Sequence, residues 1–131
     1  AKANPDGHTL MFVAIGHAIN PLLQKNLPYD PDKAFTAVSL TAILPQMLAL
    51  SPKVNAATLR DLLALAKGTK PVNYATGGIG SSQHLATELL AHMAKVKLNH
   101  IPYKGGNQGL LDVVAGHVDF TITTALTVVP H

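Results

Sequence analysis

The fold class is set by one segment in the middle of the chain, which reads Val72-Asn73-Tyr74-Ala75-Thr76-Gly77-Gly78-Ile79-Gly80-Ser81-Ser82-Gln83-His84-Leu85. Residues 72–75 are a short apolar run typical of a buried strand, and a glycine-rich loop follows them. A helix is then predicted over residues 82–94. Its apolar face is expected on Leu85, Leu89 and Met93. A strand that passes through glycines into a helix is the repeating unit of α/β folds.

The same unit recurs towards the end of the chain. A strand is predicted over residues 98–102, followed by a helix that Asn107 caps and Gly116 ends. Residues 118–122 predict the last strand. This alternation predicts an α/β fold, with a mostly parallel sheet flanked by helices and joined by right-handed crossovers.

The first half of the chain is less regular. Strands are predicted there over residues 9–14, 36–43 and 47–51. One helix is predicted with Asn20 as its N-cap and Pro21 at its first position, where the missing N–H costs nothing. A second helix is predicted from the capping box of Thr58 and Asp61 to Gly68.

Composition narrows the function classes. The 131 residues are 47% apolar and 13% charged, which favours a folded core and excludes a disordered chain. The net charge of +3 is scattered and includes no basic run longer than Lys95-Val96-Lys97, so we expect no nucleic-acid partner. The absence of cysteine excludes disulfides and thiolate metal sites. The uncharged stretch over residues 34–52 is too polar for a membrane span.

The glycine-rich loop is a candidate anion site. Glycines let several backbone N–H groups point at one spot, and the following helix adds its positive end. The loop lacks the Lys-Ser/Thr of a phosphate-binding P-loop and the third glycine of a dinucleotide fingerprint. A plain strand-to-helix turn capped by Ser82 explains the same residues equally well. The candidate ligand-binding residues are Thr76, Gly77, Gly78, Ile79, Gly80, Ser81, Ser82 and, in the first helical turn, His84.

Further candidates follow the next two strands. Tyr103 and Lys104 come after the strand over 98–102, so they are expected at the same sheet edge as the glycine loop. Thr123 and Thr124 are expected just after the last strand, where their hydroxyls would join this edge. A solvated lysine and ordinary helix capping by the threonines are the simpler interpretations.

The sequence gives little support for a catalytic site or a metal-binding site. His84, Glu88 and His92 share one helix face, but the outer two lie about 12 Å apart along the axis, so one ion cannot bind all three. A solvent-exposed helix face is the better explanation for these three residues. Neither serine of the loop stands in a nucleophile elbow, and Asp119 has no recognisable base partner. We therefore predict no catalytic residue, no metal and no cofactor.

Seven short motifs follow one another along the whole chain. They are Asn4-Pro5-Asp6-Gly7-His8-Thr9-Leu10, His17-Ala18-Ile19-Asn20-Pro21, Leu27-Pro28-Tyr29-Asp30-Pro31, Phe35-Thr36-Ala37-Val38-Ser39-Leu40, Gly77-Gly78-Ile79-Gly80-Ser81-Ser82-Gln83-His84-Leu85, Pro102-Tyr103-Lys104-Gly105 and Gly116-His117-Val118-Asp119. Together they resemble the solute receptors of tripartite tricarboxylate transporters, often called the Bug family. The resemblance implies a periplasmic binding protein of type II-like fold, in which two α/β lobes enclose a ligand cleft.

The resemblance also implies how the chain is divided. Residues 1–43 correspond to part of the first lobe, 44–55 to a crossing or hinge segment, and 56–131 to most of the second lobe. The loop over 76–82 resembles the carboxylate cradle of the second lobe. The first lobe's contribution falls on Ile15, Gly16 and His17. Thr123 stands where an acidic residue is common in relatives, which leaves the ligand's identity open.

The function implied is that of a non-enzymatic, periplasmic receptor, which captures a small organic carboxylate and passes it to the permease subunits in the membrane. An α/β enzyme that binds a phosphorylated substrate at the glycine loop is the alternative from another class. Because the chain matches only the middle of the family and starts at Ala1 without a leader, we expect a processed or truncated piece. Such a piece could lack ligand affinity. We expect a homodimer, with strand exchange across residues 44–51 as one route.

Overall fold

The computed structural model describes residues 1–128, and the chain forms two compact units, Ala1–Ile43 and Leu44–His131. Residues 129–131 lie outside the described part. The assignment of these units to lobes, and of residues 44–55 to a hinge, stays a prediction. No helix among the described residues is long and apolar enough to cross a membrane.

The first unit contains one helix, α1 (Gly16–Leu23). The strands predicted over residues 9–14 and 36–43 are wrong, because neither segment pairs with another strand in the described structure. An apolar run forms a strand only when a neighbour satisfies its backbone N–H and C=O groups. The predicted start at Asn20 is also wrong, since α1 begins four residues earlier and contains Pro21.

The second unit is built on a four-stranded sheet. Its strands are β1 (Gln46–Leu50), β2 (Asn73–Thr76), β3 (Asn99–Pro102) and β4 (Phe120–Thr124). Their order across the sheet is β1-β4-β2-β3. β2 runs parallel to β3 and β4, while β1 lies antiparallel on β4 with Leu50 opposite Phe120. The predicted α/β architecture with a mostly parallel sheet is confirmed.

Four helices complete this unit. They are α2 (Leu59–Ala66), α3 (Ser82–Ala94), α4 (Gly106–Ala115) and α5 (Ala125–Val128). The capping box before α2 is confirmed, because Thr58 accepts from the Asp61 N–H and the Asp61 carboxylate accepts from the Thr58 N–H. Gly116 ends α4 in the left-handed conformation that favours glycine, as predicted. Gly105, rather than Asn107, stands at the N-cap of α4.

The core of this unit has two parts, one on each face of the sheet. Tyr74 is in register with both Phe120 and His100, so these three rings form a row on one face, where Leu62 of α2 packs against Tyr74 and Phe120. On the other face, Val113 of α4 packs against the β2 residue next to Tyr74. Tyr74 and Phe120 are fully buried.

The buried face of α3 differs from the predicted one. Leu89 and Met93 are 60% and 74% exposed, whereas Gln83, Thr87 and Ala91 are buried. Small side chains such as Thr87 and Ala91 let a helix lie close to a sheet, so the larger apolar residues face away. The helix is confirmed, but the face that carries Leu85, Leu89 and Met93 is not the face that is buried.

Candidate functional site

The candidate site lies at the carboxyl ends of the three parallel strands. We call this edge the strand-end rim and define it as residues 77–81, residues 103–105 and Thr123–Thr124. The loops after β2 and β3 contact each other: a Cβ atom on Gly77 would lie 3.0 Å from the backbone nitrogen of Gly106. The Tyr103 N–H also donates to the Thr76 carbonyl at 2.9 Å. The structure thus brings together the two loops that the sequence placed at one edge.

Four backbone amides of the glycine loop make internal hydrogen bonds, one of them the Ser81 N–H, which donates to the Gly78 carbonyl at 3.2 Å. The Gly77 N–H donates to Oε1 of Gln83 at 2.5 Å, and the Gly78 N–H donates to the Thr76 hydroxyl at 3.1 Å. The Gly80 N–H donates to Nδ1 of His84 at 3.2 Å. Gly78 and Gly80 have φ angles of +119° and +78°, which side-chain-bearing residues rarely adopt. The loop is therefore a fixed structure whose conformation depends on glycine.

Three other amides, one in the loop and two at the start of α3, make no hydrogen bond within the described chain. Ser81 caps the helix, since its hydroxyl accepts from the His84 N–H and donates to the Gly78 carbonyl. The backbone N–H groups of Ile79, Ser82 and Gln83 have no acceptor among residues 1–128. Unpaired N–H groups at a helix start carry the positive end of the helix dipole, which attracts anions. These three amides, rather than those of the glycines, are the backbone donors here that carry no internal hydrogen bond.

A stack of rings lies beside the loop. The His84 and His100 rings are stacked with centroids 4.3 Å apart, and His100 stacks in turn on Tyr74 at 4.9 Å. Nε2 of His100 lies 2.6 Å from the Thr76 hydroxyl, while the Tyr74 hydroxyl donates to Glu88. Burial lowers the pKa of His100, with a further lowering from nearby His84 and an opposing effect from Glu88. The stacking and the Thr76 contact thus hold the His100 ring against the loop.

Gln83 is a site residue that the sequence reasoning missed. It lies in the first turn of α3 and is only 9% exposed. Besides accepting from Gly77, it donates through Nε2 to the Thr123 hydroxyl at 2.8 Å. No local pattern predicts this contact, because Gln83 and Thr123 are 40 residues apart in sequence.

The other rim residues have individual environments. The Tyr103 hydroxyl donates to Asp112 at 2.5 Å, and burial together with this bond raises the pKa of Tyr103 to about 12. Lys104 is exposed. Thr123 and Thr124 were expected after the last strand, but they are the final residues of β4, and Thr123 is buried. The Thr123 side chain therefore faces Gln83 rather than solvent.

The candidates from the first part of the chain belong to the first unit. Ile15 precedes α1 and is 57% exposed, and Gly16 is the first residue of the helix. The His17 ring packs edge-on against Phe35 with centroids 5.1 Å apart and stacks on Tyr29 at 6.2 Å. This aromatic cluster fixes the His17 ring within its own unit.

Comparison with known proteins places the chain in a family. Residues 1–131 match the family described as "Tripartite tricarboxylate transporter family receptor". A curated relative, the "UPF0065 protein in tcbD-tcbE intergenic region" of Pseudomonas sp. (strain P51), is 36% identical over 126 residues. The match covers 93% of this chain and 37% of the relative. The chain therefore spans well under half the length of that relative.

Two solved structures are similar as well. One is R. palustris Rpa4515 with adipate, which is 32% identical with a TM-score of 0.79, covering 88% of this chain and 39% of that one. The other is MatC (Rpa3494) from Rhodopseudomonas palustris with bound malate, 28% identical with a TM-score of 0.77 and the same coverage of both chains. The resemblance drawn from the seven motifs is thereby confirmed, and the chain belongs to the receptor family of the tripartite tricarboxylate transporters.

Proposed function

We propose that this chain is the ligand-binding part of a periplasmic receptor that captures a small organic carboxylate for a tripartite tricarboxylate transporter. The observation that carries the proposal is a set of three unpaired amides, Ile79 in the glycine loop and Ser82 and Gln83 at the start of α3. They lie beside a loop whose other amides are already satisfied. A carboxylate oxygen is an acceptor of matching charge for such donors.

The ligand class is supported by the two solved relatives. Adipate and malate, named with those structures, are both small dicarboxylates, although they differ in length and in the hydroxyl group of malate. The family's role in transport supports the permease as the partner and the periplasm as the location. Ile15, Gly16 and His17 remain proposed ligand-binding residues of the first unit, and Lys104 and Tyr103 remain proposed residues of the second.

A receptor role also agrees with the side chains at the rim. General acid–base catalysis needs titratable groups that are free to exchange a proton with the substrate. The carboxylates of Glu88 and Asp112 each already accept a hydrogen bond from a tyrosine hydroxyl, that of Tyr74 and that of Tyr103. Phosphoryl transfer normally requires acidic metal ligands, and no group of three metal-binding side chains occurs within residues 1–128. We therefore propose binding without catalysis.

Calorimetry tests the proposal against its alternatives. The chain is titrated with adipate, malate, an aromatic carboxylate and a sugar phosphate, and each mixture is then analysed for turnover. The receptor proposal predicts saturable binding of at least one carboxylate and no product. Tight binding of the sugar phosphate with turnover would support the enzyme alternative, and silence across the panel would indicate a piece without ligand affinity.

A further inference from the structure

One buried amide side chain touches the ends of three elements of the second unit. Oε1 of Gln83 accepts from the Gly77 N–H in the loop after β2, and Nε2 donates to the Thr123 hydroxyl at the end of β4. Because a backbone N–H only donates, the oxygen must face Gly77 and the nitrogen must face Thr123. The orientation of the side-chain amide is therefore fixed by its partners.

The third contact is with the start of α4. A Cβ atom on Gly106 would lie 2.5 Å from Nε2 of Gln83 and 3.1 Å from Oε1. All three of the nearest atoms to that position belong to the Gln83 side chain. The first residue of α4 thus packs directly on the Gln83 amide, and only glycine fits there while Gln83 keeps its place.

We propose that Gln83 is the positioning residue of the carboxylate site, an inference that rests on the proposed function. Its side chain satisfies the Gly77 amide and holds the loop against β4 and α4. This leaves the amides of Ile79, Ser82 and Gln83 itself as the donors for the ligand, at fixed positions. Without the side chain, the loop gains freedom and the donors lose their arrangement, so the carboxylate binds more weakly.

The first test needs no ligand. Amide hydrogen exchange is measured by NMR in the full chain and in Gln83→Met, which keeps the side chain's length but removes both hydrogen bonds. Exchange at Gly77 should speed up at least about tenfold in Gln83→Met, while exchange at Ala75 in the buried strand stays unchanged. The matched control is Gln108→Met, since Gln108 is exposed on α4. Unchanged exchange at Gly77 in Gln83→Met would overturn the proposal.

The second test measures affinity. Gln83→Met should raise the Kd for adipate about tenfold, and Gln108→Met should leave it unchanged. Leu62→Ala removes a core side chain that is 2% exposed and packs on Tyr74 and Phe120, so it lowers stability without removing either hydrogen bond of Gln83. If Leu62→Ala weakens adipate binding as much as Gln83→Met does, the effect of Gln83 is only structural and the proposal is wrong.

A third test uses the contact with Gly106. Gly106→Ala should displace the Gln83 side chain and weaken adipate binding in the same way as Gln83→Met. In the background of Gln83→Ala the three atoms nearest to the added methyl group are absent, so Gly106→Ala should cause little further loss. Fully additive losses in the double variant would contradict the proposal. If the unmodified chain binds no carboxylate of the calorimetry panel, the proposed function fails, and the exchange at Gly77 alone decides whether Gln83 positions the loop.

Discussion

The backbone N–H of Gly80 donates to Nδ1 of His84, which lies 3.2 Å away in the first turn of α3. The histidine in the first turn of α3 therefore acts as a hydrogen-bond acceptor for the glycine loop. Its ring also stacks on His100. His84 thus connects the loop to the row of rings on the sheet.

The first prediction concerns this hydrogen bond. Gly80 is buried, so His84→Leu leaves its N–H without an acceptor and should lower the free energy of unfolding by about 1–3 kcal/mol. His92→Leu is the matched control, because His92 is exposed on the same helix and should change stability by less than about 0.5 kcal/mol. Urea denaturation measures both variants. Equal losses in the two would contradict the role given to His84.

The second prediction is a pH dependence at His100. Burial and His84 lower its pKa in the folded chain below the usual 6.5, so the unfolded chain takes up this proton first as the pH falls. The free energy of unfolding should therefore keep its full value above about pH 6.5 and decline below it. Denaturant unfolding between pH 5 and 7.5 shows whether the free energy of unfolding falls as the pH falls. The decline should be smaller in His100→Asn, and an identical pH profile in that variant would show that His100 is not its source.

The third prediction ranks the rim residues by their effect on carboxylate affinity. Valine at position 78 or 80 must adopt a positive φ angle, which is strongly disfavoured for a β-branched residue, so the loop changes shape. Gly78→Val and Gly80→Val should each raise the Kd at least about tenfold. Lys104→Ala removes one exposed, screened charge and should raise it less than about threefold. The reverse ranking, measured by calorimetry, would refute the role given to the loop.

The fourth prediction concerns the core under the rim. Phe120 is fully buried and packs on Tyr74 with ring centroids 5.9 Å apart, so Phe120→Ala should cost about 3–5 kcal/mol of stability. Leu89→Ala on the exposed face of α3 should cost less than about 0.5 kcal/mol. Chemical denaturation of both variants measures these two losses in the free energy of unfolding. A large loss in Leu89→Ala would mean that α3 packs by the face its leucines first suggested.

The fifth prediction is the oligomeric state. Large apolar side chains of the first unit are exposed, among them Phe12, Val38 and Ile43 at about 80% each. Exposed apolar surface of this kind is normally covered by another chain, so a homodimer is expected. Light scattering over a range of concentrations measures the mass. A monomer mass at every concentration would rule the dimer out. Because β1 pairs with β4 within one chain, strand exchange would require this pairing to open.

The sequence predicted the second unit well where short-range rules apply. The unit of strand, glycine loop and helix around residues 72–94, the capping box at Thr58 and the terminal Gly116 all depend on neighbouring residues. The first unit was predicted poorly. Apolar runs there resemble strands, yet a strand exists only when a partner pairs with it, and the sequence of a run does not contain its partner.

The candidate site, too, was predicted only where it depends on residues that are neighbours in the sequence. Local spacing placed the loop at the start of α3, but it did not show which amides the protein itself uses. That depends on Gln83, His84 and Thr76, whose side chains reach back to the loop. Periodicity likewise showed which residues of α3 share a face, whereas the choice of buried face depends on how closely the helix lies on the sheet.

An NMR titration of the isotope-labelled chain with adipate tests the central claim most directly. The account predicts that the backbone amide signals of Ile79, Ser82 and Gln83 shift progressively and saturate, because their N–H groups acquire a carboxylate acceptor. The internally bonded Gly77 amide should move much less. Saturable binding that leaves these three amides unchanged and shifts signals elsewhere would contradict the account.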